Sequence, residues 1–171
     1  DTAVSTITAH PRPKADFTTD KTSGCGPLTV NFGEQSVNGD SYFWNFGSGF
    51  SQASRSEQFT FNPILLFDTV YRVKFTSNSV YGCTGDTATK PIRVLGIPKA
   101  EFILSKDTSC NEEVTLFYNV SLAAIKYEWS FGDNTSSNLI NPTKTFKADN
   151  VNGKAVTYPI RLVARSVFGC T

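Results

Sequence analysis

The chain has 171 residues with 16 basic against 15 acidic side chains, so its length suits one domain or two small ones and its charge offers no polycationic surface to nucleic acid or an anionic membrane. No apolar run approaches the roughly 18 residues of a membrane-spanning helix; the longest uncharged apolar cluster is Pro63 to Phe67. Aromatic residues make up 13% and charged residues only 18%, with Thr, Val, Phe and Ser well ahead of Leu, a balance that predicts an all-β protein.

In chain order, the first ten residues read as a strand that repeats later: Asp1-Thr2-Ala3 aligns with Asp86-Thr87-Ala88 and Ile7 with Ile92, both at a shift of 85. They read as the closing strand of a preceding module. His10-Pro11-Arg12-Pro13 is a short proline linker, and Gly96-Ile97-Pro98 is another, which favours extended, semi-rigid spacing. After each linker the same pattern begins, with Pro13-Lys14-Ala15-Asp16-Phe17 recurring as Pro98-Lys99-Ala100-Glu101-Phe102. Alternation of apolar and polar residues then predicts strands around Leu28, Val30 and Phe32, around Tyr42, Trp44 and Phe46, and around Tyr71, Val73 and Phe75. In the second copy the corresponding apolar faces read as Val114, Leu116 and Tyr118, then Tyr127, Trp129 and Phe131, then Tyr158, Ile160 and Leu162. Turn signals separate the strands at Gly24 to Pro27, Asn38-Gly39-Asp40, Gly47-Ser48-Gly49, Asn62-Pro63, Asn141-Pro142 and Asn152-Gly153. Short strands spaced in this way predict a sandwich or barrel.

The expected organisation is a closing strand over residues 1–10, a first module over 11–96 and a second over 97–171. The second module has no closing strand of its own. Such an edge is a pairing template, and the segment near Thr2 to Thr8 is expected either to dock on its own chain or to fill the vacant edge of a neighbour. The absence of methionine and the stop at Gly169-Cys170-Thr171 in mid-pattern read as an internal portion of something longer.

The segments Tyr42-Phe43-Trp44-Asn45-Phe46-Gly47 and Tyr127-Glu128-Trp129-Ser130-Phe131-Gly132-Asp133, with Pro-x-Ala-x-Phe at each module start, resemble the Tyr-x-Trp-x-Phe-Gly-Asp-Gly signature of PKD (polycystic kidney disease) repeats. Ser48 stands where that family has Asp, and Asn134 where its last Gly is usual. The resemblance implies tandem immunoglobulin-like (PKD-type) β-sandwich modules in an elongated array. The early Gly24-Cys25-Gly26-Pro27 and late Tyr81-Gly82-Cys83 are similar to repeats in large Bacteroidota surface and gliding adhesins exported by the type IX secretion system. PKD repeats also accompany secreted chitinases, cellulases and proteases.

Four cysteines fall one pair per module without a Cys-x-x-Cys, and His10 is the sole histidine, so no zinc or thioredoxin-like ligand set is legible. Repeat symmetry predicts disulfides Cys25 to Cys83 and Cys110 to Cys170, with four buried thiols as the alternative. Tyr42, Trp44, Phe46, Tyr127, Trp129 and Phe131 are expected in the core, which leaves Phe43 and Phe50 as the better contact aromatics. No cofactor is expected. Calcium is the one ion that Asp16, Asp20, Asp40 or Asp133 would suit, although no dense Asp-x-Asp-x-Asp loop exists. Asp-Thr-aliphatic triplets mark Thr2, Thr69 and Thr87 as candidate O-glycosylation positions.

The expected function is a non-enzymatic segment of a large exported adhesin for gliding or attachment, serving as semi-rigid spacer and ligand-contact module. Accessory modules of a secreted glycan- or protein-degrading enzyme are the alternative. Expected partners are neighbouring modules of the same chain and surface polysaccharide or other cell-surface proteins, at the extracellular face of a bacterial outer membrane, with no nucleic acid and no span through the membrane.

Overall fold

A computed structural model describes residues 1–49, 51–64, 66–83, 85–148 and 153–171. Phe50 and the Asn152 end of the last expected turn lie outside the described residues, as does Leu65 within the apolar cluster. The fold is all-β, and the chain divides into two compact units: Asp1–Asn62 with Asp68–Val94, and Pro63–Phe67 with Leu95–Thr171.

The first unit is a two-sheet sandwich. One sheet has the order β1 (Phe17–Thr19), β3 (Leu28–Glu34), β6 (Ser56–Phe61); the other runs β2 (Ser23–Cys25), β8 (Asp86–Leu95), β7 (Thr69–Asn78), β4 (Ser41–Asn45), β5 (Ser51–Gln52). The longest ladder joins β7 to β8, antiparallel from Thr69↔Val94 to Ser77↔Asp86. Alternation puts Leu28, Val30 and Phe32 of β3 against Trp44 of β4 and Val73 and Phe75 of β7, all buried. β8 adds Ile92 and Val94, each fully buried. The Trp44 ring meets Phe17 edge-on at 5.1 Å and lies 4.2 Å from Phe75, contacts that add to simple burial through ring-edge electrostatics.

Among the described residues the second unit repeats this plan with fewer strands. β9 (Phe102–Leu104), β10 (Val114–Asn119) and β13 (Thr143–Thr145) form one sheet in the order β13-β10-β9. β11 (Lys126–Ser130), β12 (Ser136–Ser137) and β14 (Arg161–Arg165) form the other in the order β12-β11-β14. Its buried aromatic centre is Phe117, Trp129 and Phe131.

Two expectations are corrected here. Val114, Leu116 and Tyr118 do not face the core; they are 55%, 37% and 46% exposed, and Thr115 and Phe117 point inward. The inward pair stands at the repeat shift of 85 from Val30 and Phe32. A one-residue change of phase exchanges the faces of a strand, and Phe117 decides it by packing 5.4 Å from Trp129 and 5.2 Å from Phe131. Second, the segment near Thr2 to Thr8 is not docked on its own chain. It carries no strand, and Val4 and Ile7 are 88% and 98% exposed.

The two copies therefore bury the same residues to different depths. Phe61 and Val73 are sealed in the first unit, whereas their counterparts Phe146 and Ile160 are only partly buried. Phe61→Ala is expected to lower stability by about 3–5 kcal/mol and Phe146→Ala by distinctly less. Chemical denaturation of both variants checks this, and equal losses would show that the second core is as closed as the first.

Candidate functional site

The aromatic signature serves structure in both copies. Trp44 Nε1 donates to Ser54 O at 3.1 Å and Trp129 Nε1 donates to Leu139 O at 2.9 Å, so each indole is buried with its N–H satisfied. Tyr42 and Tyr127 are part-buried, and their hydroxyls donate to Gly39 O at 2.8 Å and Ala124 O at 2.9 Å. Phe46 and Phe131 are buried. The glycine after each phenylalanine is required by space as well as by conformation. Gly47 and Gly132 have φ of +73° and +78°, and a Cβ there would come within 3.0 Å of Arg72 O and 2.8 Å of the Pro159 backbone.

The cysteines depart from the expected pairing. Cys25 and Cys170 are disulfide-bonded, while Cys83 and Cys110 carry free thiols. Each expected pair would have to span the length of a sandwich. Arg93 N donates to Thr22 O at 2.9 Å, which holds β2 and Cys25 beside the last residues of β8. Cys83 precedes the first residue of β8, Asp86. The strand from Asp86 to Arg93 extends roughly 23 Å, against the ~4.4–6.8 Å between Cα atoms that a disulfide tolerates. In the second unit Cys110 shares a cavity with Ile160 ahead of β14, and Cys170 lies beyond its far end, where Ser166 N donates to Cys170 O at 2.9 Å.

The candidate glycosylation threonines differ in setting. Thr2 lies in the exposed first segment, Thr69 opens β7 half-buried, and Thr87 is exposed on β8 with its hydroxyl 3.1 Å from that of Thr76. The aspartate of the third triplet has a structural task. Asp86 Oδ2 accepts the Ala15 N–H at 3.1 Å, tying β8 to the start of the module.

The four aspartates considered for calcium each engage a protein group. Asp16 pairs with Lys90 at 2.8 Å, Asp20 accepts from Asn31 N and Nδ2 at 2.8 Å, and Asp40 accepts from Val80 N at 3.1 Å. Asp133 Oδ2 pairs with Lys144 Nζ at 2.7 Å, and Lys144 also donates to Thr135 Oγ1 at 2.7 Å. Among the described residues no three His, Cys, Asp or Glu side chains converge as a metal site. The Lys144 ammonium and the Thr135 donors hold the Asp133 carboxyl down at about 2. That pair ties the β11–β12 turn to β13 of the opposite sheet. His10 is exposed, and its ring stacks 3.6 Å from that of Tyr81.

Two surface features escaped the sequence reading. The outer face of β9 and β10 presents Ile103, Val114, Leu116 and Tyr118, with Tyr118 opposite Ile103. The same face of the first unit is polar: Thr29 and Thr60 share a 2.8 Å hydrogen bond, and Gln58 donates to Asn31. The second feature is an opening of about 640 Å³ into the core of the second unit, lined by Leu104, Cys110, Phe117, Phe146, Tyr158 and Ile160. It borders β14, which pairs only with β11 among the described residues. An offset of one residue in the alternation hid the first feature, and the second shows only when the two copies are compared strand by strand.

No protein-family model and no curated protein matches this chain. Among solved structures it is similar to a Methanosarcina mazei protein determined by NMR, with 32% identity over 55% of this chain and 61% of that one and a TM-score of 0.39. The chain thus spans about three fifths of that protein's length. It is also similar to a β-sandwich carbohydrate-binding module, with 13% identity, 91% and 85% coverage and a TM-score of 0.45. Fibronectin(III)-like modules of Clostridium thermocellum CbhA align at 10% identity, 91% and 88% coverage and a TM-score of 0.36.

Two outcomes follow from this chemistry. A thiol reagent applied to the native, unreduced protein is expected to label Cys83 and Cys110, with Cys25 and Cys170 reacting only after reduction; peptide mapping of the label decides it. Because Asp133 titrates at about 2 when folded and at 3.8 ordinarily, its contribution is complete above about pH 4 and fades as pH falls to about 2. Asp133→Asn is expected to cost on the order of 1 kcal/mol at neutral pH. Denaturation midpoints should show that gap closing over the acid range, and a gap independent of pH would contradict the assignment.

Proposed function

We propose that this chain is a non-catalytic structural and binding segment built from tandem PKD-like modules, part of a large exported bacterial surface adhesin in which it serves as semi-rigid spacer and ligand-contact surface. The carrying observation is that the repeated signature is used for packing in both copies: the tryptophans are buried and bonded to backbone carbonyls, and the glycines make room for a neighbouring strand. A repeat whose distinguishing residues build its interior is selected for shape and resistance to unfolding, which is what a spacer requires. The modules are read as 11–96 and 97–171, with residues 1–10 as the closing strand of a module before them.

The disulfide-bonded state of Cys25 and Cys170 supports an oxidising, extracytoplasmic location. Among the described residues no helix is long and apolar enough to cross a membrane, in keeping with attachment through other parts of a larger assembly. Type IX export and glycosylation at Thr2, Thr69 and Thr87 belong to this proposal, as does surface polysaccharide as the partner class.

The test is an immunoblot of intact source cells with antibody against this chain, before and after external protease. Loss of a very large band on protease treatment is the expected result. A protected cytoplasmic band would overturn the reading, and a band of ordinary enzyme size in the medium would transfer the modules to a secreted hydrolase.

A further inference from the structure

The outer face of the five-stranded sheet in the first unit is set apart by its charge. Residues paired across strands share a face, so the β4–β7 ladder puts Phe43 beside Thr76 and Asn45 beside Lys74, and the β7–β8 ladder puts Thr76 beside Thr87. Arg72 precedes Lys74 by two residues on β7 and stands on the same side. Phe43 is 44% exposed, and Arg72 and Lys74 are exposed as well. Among the described residues no outward strand position of this face carries a carboxylate, and neither Arg72 nor Lys74 has an acid within ion-pair distance. Arg93, the third cation of the face, is answered by Asp68 at 2.5 Å.

What remains on this face is a set of donors around one ring. Asn45 Oδ1 accepts the Gly47 N–H at 2.9 Å, which leaves its amide N–H groups as the outward function, and the Thr76 and Thr87 hydroxyls are 3.1 Å apart. Thr76 with Phe43, then Lys74, then Arg72 stand in successive rows that span roughly 13 Å along the strands of an open surface. An occupant of such a surface is extended, carries negative charge and acceptor oxygens, and turns an apolar ring face toward Phe43. Two unanswered cations over that length, set among hydroxyls and an amide, are too sparse for a nucleic acid strand, which is held by a tract of phosphates. In the second unit the repeat puts Glu128 in the place of Phe43 and Pro159 in the place of Arg72, and Glu128 pairs with Arg165 at 3.8 Å. The combination of ring and paired cations therefore belongs to the first unit.

We propose that the outer face of β4, β7 and β8 binds an acidic polysaccharide, with Phe43 stacked on one sugar ring and Lys74 and Arg72 paired with anionic groups of the neighbouring sugars. The inference rests on the reading above, in which surface polysaccharide is the partner class, and deepens it by naming the chemistry: sugars that bear carboxylates or sulfate esters. Arg72 grips such a group through two parallel N–H bonds, whereas Lys74 acts as a point charge. The ring adds apolar contact that does not depend on charge. Exposed ion pairs are individually weak and screened by salt, so affinity accumulates by repetition along the polymer and falls as ionic strength rises.

The experiment is calorimetric titration of the full chain, produced with Thr87 unmodified, with oligogalacturonate and with sulfated dextran oligomers, and with neutral dextran and single-stranded DNA for comparison. Salt-sensitive binding of at least one acidic glycan is expected, and the tighter of the two identifies carboxylate or sulfate as the recognised group. Lys74→Gln and Arg72→Gln should each weaken binding about threefold, and the two together about tenfold. Phe43→Ala should weaken it about fivefold. All three side chains are exposed, so denaturation midpoints should not move. Arg161→Gln, at the place of Lys74 in the second unit, should leave the affinity unchanged. Failure to bind either acidic glycan, equal binding of neutral dextran or DNA, indifference to the three substitutions, or an equal loss with Arg161→Gln would each overturn the proposal. Such a failure, read on the purified chain, leaves the surface-segment reading standing on the protease blot, where a protected cytoplasmic band is the separate result that overturns it.

Discussion

The antiparallel ladder between β7 and β8 is the contact on which the completeness of the first unit depends, because β8 joins the sheet backbone to the core through the same residues. Its inward positions supply Ile92 and Val94 to a centre already crowded with aromatic rings, and its other edge carries β2. Its first half is tied electrostatically to the start of the module. Asp86 accepts the Ala15 N–H, and the Lys90 ammonium sits 4.8 Å from the centre of the Phe17 ring while pairing with Asp16. In the second unit Phe102, Phe146, Ile160 and Leu162 are only partly buried around the tryptophan centre, and among the described residues β14 pairs with β11 alone.

Much of this was legible in the sequence because the repeat is strict where packing is strict. The shift of 85 preserves the bridge Lys14↔Val37 as Lys99↔Leu122, the tyrosine hydroxyl bond to the residue three positions earlier, and the left-handed residues Asn38 and Ala123. Such positions have one geometric solution, so both copies keep it. Alternation alone was weaker evidence. At Val114, Leu116 and Tyr118 the outer face is as apolar as the inner, and only the repeat register identifies Phe117 as the residue that meets Trp129.

The cysteines show where symmetry of sequence is not symmetry of bonding. Each module has an early and a late cysteine, but a sandwich places them at opposite ends of its last strand, a distance that no count of intervening residues reveals. Likewise the acidic loop residues, which suit a hard cation by composition, answer lysines and backbone N–H groups of their own unit. Chemistry-bearing side chains are here drawn into holding sheets and turns together, in line with a segment that works by shape and surface.

Amide hydrogen exchange on the dilute chain tests this account most directly, by comparing Val73 and Phe75 of β7 with Ile160 and Leu162 of β14. Protection at β7 with rapid exchange at β14 is the expected result, since among the described residues β7 has a strand on that side and β14 has none. Equal, strong protection at all four amides would contradict the account, because it would mean that the amides of β14 are bonded on that side although no described strand pairs there.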